Sequence, residues 1–115
     1  MDREMTGNEY QAQALRSARL IGKEEQTLLN GVMGLAGESG ECVDLMKKHL
    51  FHGHPLDREH MLLELGDVAW YLALSAYALD CDLETVFQKN LEKLRKRYPD
   101  GFATERSLHR EEGDI

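Results

Sequence analysis

Glu64-Leu65-Gly66-Asp67-Val68-Ala69-Trp70-Tyr71-Leu72-Ala73-Leu74-Ser75-Ala76-Tyr77-Ala78-Leu79 is the stretch that decides the fold. From Val68 onward it is apolar on almost every side of a helical wheel, and a helix apolar all round has to be buried all round. That places it at the centre of a helical domain or beneath a second subunit. Asp57 suits the N-cap that starts this helix. The apolar run Val68 to Leu79 falls short of the roughly 20 residues that a membrane span needs.

Working outward, a long helix is expected from Glu25 to Phe51, with Leu28, Leu29, Val32, Leu35, Leu45 and Met46 on its buried side. His52-Gly53-His54-Pro55 stops it, since glycine suits the C-terminal cap and proline cannot continue a helix. A first amphipathic helix spans Asn8 to Leu20, with Tyr10, Ala14, Leu15 and Ala18 on one side and Gly22 at its end. Asp82 caps a fourth helix striped by Leu83, Phe87, Leu91, Leu94 and Tyr98, and Pro99-Asp100-Gly101 turns the chain out of it. The reading is an all-α, four-helix-bundle type of fold in a single domain over 1–115, with a charged tail at 103–115 that frays.

A net charge of −7 leaves no large basic surface, which argues against a nucleic-acid polymer as partner. It leaves room for a phosphorylated small molecule, because a metal ion can supply positive charge locally. Cys42 and Cys81 are far apart in apolar helical contexts and are read as reduced core thiols of a cytoplasmic protein. The first seven residues hold no apolar core of a signal peptide, and no membrane partner is expected.

The chemistry concentrates in two acidic couplets. At about 100° per residue, positions three apart lie roughly 60° from each other. Glu38 and Glu41 therefore leave one side of the second helix, and Glu64 and Asp67 one side of the third. Both couplets sit mid-helix among apolar residues, away from any cap. Surface carboxylates on solvated faces are the plainer reading of each alone. Carboxylates gathered away from solvent repel one another unless protons or a cation compensate, and an all-oxygen set suits Mg²⁺ or Mn²⁺. Gly34, Gly37 and Gly40 fall inside the second helix, each costing roughly 0.5–1 kcal/mol against alanine. Close packing of another helix, or room for a metal and its phosphate ligand, offsets that.

Basic groups share these faces. Lys48 lies seven residues past Glu41, on nearly the same side, and Asn90, Lys93 and Arg97 form an arc on the fourth helix. An asparagine with two cations at that spacing can hold a triphosphate, although cations also belong at helix C-termini for the sake of the dipole. His49, His52, His54 and His60 are read as residues of the connection between helices two and three. Trp70 and Tyr71 are read as core.

Leu35-Ala36-Gly37-Glu38-Ser39-Gly40-Glu41, then Glu64-Leu65-Gly66-Asp67-Val68-Ala69-Trp70-Tyr71, then Asn90-Leu91-Glu92-Lys93 and Arg97-Tyr98-Pro99-Asp100-Gly101-Phe102, resemble the MazG-like all-α nucleotide pyrophosphohydrolases. The resemblance covers Asn8 to Phe102. It implies Mg²⁺-dependent hydrolysis of nucleoside triphosphates to monophosphate and pyrophosphate, with house-cleaning of non-canonical nucleotides as one role. It implies Glu38, Glu41, Glu64 and Asp67 as metal ligands and Asn90, Lys93 and Arg97 near the phosphates; Lys48 is expected to bind phosphate from its side of the second helix. Glu38 or Glu41 would activate water, and Tyr10 and Gln11 would contribute to a base pocket. Relatives assemble, so a homodimer or homotetramer is expected. Where the family pattern often carries a further acidic residue before the first couplet, this chain has Gly37. A specialised pyrophosphohydrolase acting on phosphoribosyl-ATP would use the same metal site, and a non-catalytic helical oligomer is the rival of a different class. A di-iron bundle wants two Glu-x-x-His motifs, which neither couplet supplies.

Overall fold

The computed structural model describes residues 4–18 and 24–100, and over these the chain is all-α. Helix α1 spans Gly7–Ala14, a 3₁₀ turn Leu15–Ser17, α2 Glu24–Phe51, α3 Arg58–Ala78 and α4 Leu83–Arg97. The chain divides into two compact units, Met1–Leu83 and Glu84–Ile115. Gly22, Gly101, Phe102 and the expected fraying tail lie outside the described residues. No single helix among the described residues is long and apolar enough to cross a membrane.

In the first unit α2 and α3 run antiparallel. Gly31 meets Ser75, Gly34 meets Tyr71, and Glu38 lies near Glu64 and Asp67, so numbers rise along one helix as they fall along the other. The approach is close because the facing residues are small. A Cβ on Gly31 would run into the Ser75 hydroxyl and stand 3.1 Å from its backbone, and one on Gly34 would run into the Tyr71 ring. Close packing therefore accounts for Gly34, while Gly37 and Gly40 have open space beside them. This approach also turns α2 from its expected orientation. Thr27 and Gly31 are its buried residues, whereas Leu29 and Val32, expected to face inward, are 58 % and 50 % exposed. Small residues, rather than the large apolar ones, choose the inner face.

Burial of α3 is all round over residues 73–76, where four consecutive side chains including Ser75 are buried, and only partial before and after them. Ala73, Leu74, Ala76 and Ala78 are buried with Leu83, but Leu62, Leu63, Leu65, Tyr77 and Leu79 stay exposed. Nor are the cysteines core thiols: both are free, Cys42 half-buried and Cys81 exposed.

Helix α1 is held to α3 by polar contacts. Thr6 caps it in a reciprocal box with Glu9. The helix ends at Ala14, short of the expected Leu20, because the Ala14 carbonyl is taken by side chains. The Ser17 hydroxyl donates to it at 2.8 Å and the Trp70 indole at 3.0 Å, while the Ala18 N–H bonds Leu15 instead. Asp57 caps α3 as expected, accepting from the His60 N–H at 3.0 Å.

Gly34→Ala is expected to destabilise the protein by about 1–3 kcal/mol, since the added methyl overpacks against Tyr71. Gly37→Ala, in open space, is expected to stabilise it by about 0.5–1 kcal/mol. Urea denaturation of the two variants checks this pair, and equal effects would refute the assigned helix contact.

Candidate metal centre

The α2–α3 register brings Glu38, Glu64 and Asp67 together, each offering a carboxylate oxygen within 4.8 Å of the others. Three like charges at that range repel strongly. The protein's answer is visible at Glu38, whose pKa is raised. The chief cause is hydrogen bonding with the Glu64 carboxyl, followed by desolvation and by the charges of Asp67, Glu64 and Glu41.

Glu64 is the most sequestered of the three by its surroundings. Its Oε1 lies 3.3 Å from His60 Nε2, one helical turn earlier, whereas its Oε2 is buried and has no hydrogen-bond partner. A buried carboxylate oxygen without a donor, beside two further carboxylates, costs free energy that a bound cation would recover. The residues fit a hard divalent cation with oxygen ligands.

Glu41 stands differently from the expected four-ligand set. It is exposed and close enough to raise the Glu38 pKa, but it is outside the group of three. Tyr10 belongs to the neighbourhood: its hydroxyl donates to the Gly66 carbonyl at 3.5 Å, and its pKa is raised by burial and then by the Asp67 charge. Gln11 requires a correction. It is buried, its amide nitrogen donates to the carbonyls of Ala73 and Cys81, and its oxygen accepts from the Leu83 N–H. Those bonds clasp α1 to the end of α3, so the side chain is not turned toward a base.

Lys48 is not brought to the carboxylates. It pairs with Asp44 at 3.1 Å and lines a separate cavity farther along α2. Asn90, Lys93 and Arg97 share one side of α4 in the second unit. Asn90 and Lys93 are exposed there, and the Arg97 guanidinium lies 5.9 Å from the Tyr98 ring centre.

Sequence reasoning missed several neighbours. His60, read as a loop residue, sits in the first turn of α3, and its position four before Glu64 was the available signal. Trp70 and Tyr71, read as core, are half-buried. With Ser17, Glu38 and Asp67 they line a cavity of about 430 Å³ beside the acidic group. Their rings meet edge to face at 5.0 Å, and the Trp70 indole bond to Ala14 fixes the wall.

The family model described as "MazG nucleotide pyrophosphohydrolase domain" matches residues 26–102. The chain is 45 % identical over 69 residues to the Gene 37 protein of Mycobacterium phage L5, covering 56 % of this chain and 60 % of that protein. It thus spans less than two thirds of that relative's length. No solved structure matches the chain.

The raised Glu38 pKa gives a signed expectation. The metal-free folded state holds this proton more tightly than the unfolded chain does. Glu38 thus favours folding most below its ordinary value of 4.5, and that contribution is lost as pH rises through its raised value. With chelator present, the melting temperature of wild type relative to Glu38→Gln should fall across that window, and saturating Mg²⁺ should reverse the trend. A flat difference with and without metal would contradict the raised Glu38 pKa.

Proposed function

The chain belongs to the MazG nucleotide pyrophosphohydrolase family, and from that premise we propose that it hydrolyses nucleoside triphosphates between the α and β phosphates. The observation that carries the reading is the group Glu38, Glu64 and Asp67, with one buried Glu64 oxygen left without a partner. A divalent cation held there, Mg²⁺ or Mn²⁺, would supply the positive charge and water acidification that phosphoryl chemistry uses. Glu38, Glu64 and Asp67 would hold it, and Glu41, exposed at the edge of the group, would act as the base.

The water oxygen bonds to the α phosphorus, its proton passes to Glu41, and the bond from the α phosphorus to the bridging oxygen breaks. The electron pair departs with pyrophosphate. The cavity walled by Trp70, Tyr71 and Ser17 is suited to the nucleoside, since aromatic faces stack on any base. Asn90, Lys93 and Arg97 remain proposed phosphate-binding groups through their spacing on α4. Two free cysteines suit the reducing cytoplasm.

A second copy of the chain is proposed as partner. Leu29, Val32, Met33, Leu62, Leu63 and Leu65 are each at least half exposed on α2 and α3, apolar surface that a second copy would take out of water. Light scattering on the eluting protein should give a mass of two or four chains, and a stable monomer would contradict this.

With Mg²⁺ and a panel of normal and modified nucleotides, the purified protein should release pyrophosphate and the nucleoside monophosphate in equal amounts. Glu41→Gln should lower kcat by roughly 10²–10⁴-fold while keeping metal affinity, the scale of a lost general base. Asp67→Asn should lose both. Release of orthophosphate, or full activity in Glu41→Gln, would sink the assignment.

A further inference from the structure

A second cavity, about 450 Å³, lies where α2 ends and α3 begins, and the carboxylate group does not use it. Leu45 and Lys48 from α2, His54, Pro55 and Asp57 from the connection, and His60 from α3 line it. Its composition is unlike that of the aromatic cavity. Three of its six side chains, Lys48, His54 and His60, can donate hydrogen bonds to phosphate oxygens.

The connection that forms this cavity is held in place. Gly53 takes a left-handed φ of 73°, which reverses the chain after α2. The Lys48 carbonyl accepts from the N–H groups of both His52, at 3.1 Å, and His54, at 3.2 Å. His49 Nδ1 donates to the His54 carbonyl at 2.8 Å. The acidic residue in the wall is already committed, because Asp57 Oδ1 accepts the His60 N–H as the α3 cap. Among the described residues Lys48 is held by a half-exposed pair with Asp44, a kind of contact worth little and easily redirected.

His60 joins the two sites, lining this cavity while its Nε2 contacts Glu64. Along α3 the order is therefore the basic cavity at His60, the carboxylates at Glu64 and Asp67, and the aromatic cavity at Trp70 and Tyr71. His60 to Asp67 is about 10 Å of helix.

We propose that the Lys48–His54–His60 cavity holds the pyrophosphate part of the substrate, first as the β and γ phosphates and then as the leaving product. This rests on the hydrolase reading above, and it gives the bound nucleotide a direction: base toward Trp70 and Tyr71, terminal phosphates toward the α2–α3 connection. His54→Ala and Lys48→Ala remove donors while leaving the backbone bonds of the connection in place.

The test combines calorimetry of Mg²⁺-pyrophosphate binding with product inhibition of hydrolysis, on wild type and both variants, with melting curves confirming that each folds. Pyrophosphate should bind each variant about tenfold more weakly, the loss typical of one charge-assisted hydrogen bond. Its inhibition should weaken in parallel, while inhibition by the nucleoside monophosphate stays at the wild-type level. Wild type that binds no pyrophosphate, variants that bind it normally, or equal weakening of both products would overturn the proposal. Pyrophosphate binding that depends on Lys48 and His54 in a protein without hydrolytic activity would uphold the cavity and sink the hydrolase reading. Hydrolysis with unchanged pyrophosphate inhibition in the variants would do the reverse.

Discussion

Repulsion among Glu38, Glu64 and Asp67 is the constraint on which the site depends, and the close α2–α3 contact enforces it. Gly31 against Ser75 and Gly34 beneath Tyr71 set both the spacing and the antiparallel register. That register leaves three carboxylate oxygens within 4.8 Å of one another. A chain free to relax would turn these side chains outward to water. In the structure they stay together, and Glu38 holds its proton more tightly. A cation bound by the three would relieve that repulsion.

Around this group the surroundings divide by chemistry. Toward the C-terminal half of α3, Trp70 and Tyr71 offer aromatic walls, and the indole bond that fixes Trp70 also ends α1 at Ala14 and brings Ser17 into the cavity. Toward its N-terminal end, His60 touches Glu64 and opens onto a cavity with basic lining. Gln11, buried and fully engaged, ties α1 to the far end of α3 so that Tyr10 is held near Asp67. Scaffold and site share residues throughout, which is why small changes at the glycine contacts should reach the metal centre.

Much of this was legible in the sequence because it follows from helical spacing. The four helices, the Asp57 cap and the stop at His52 to Pro55 are local signals, and two couplets three residues apart show that each pair shares a side. What was not legible depends on which residues face each other across helices. Leu29 and Val32 looked inward by hydrophobicity, yet Gly31 and Gly34 allow a closer approach and take the inner face. Glu41 looked equivalent to Glu38, but only the register shows that Glu38 joins the group of three and Glu41 does not. His60 was overlooked because its pairing with Glu64 becomes meaningful once Glu64 is known to be sequestered, and Trp70 and Tyr71 looked like core because half-burial beside a cavity leaves the same apolar pattern.

The central claim is that the unpartnered Glu64 oxygen marks the place of a divalent cation. Electron paramagnetic resonance titration of Mn²⁺ into wild type and Glu64→Gln addresses it without any substrate. Wild type should remove the free-ion signal, and the isosteric variant should bind at least about tenfold more weakly, the usual scale for a lost charged partner. Undiminished free Mn²⁺ in wild type, or equal binding by the variant, would contradict it.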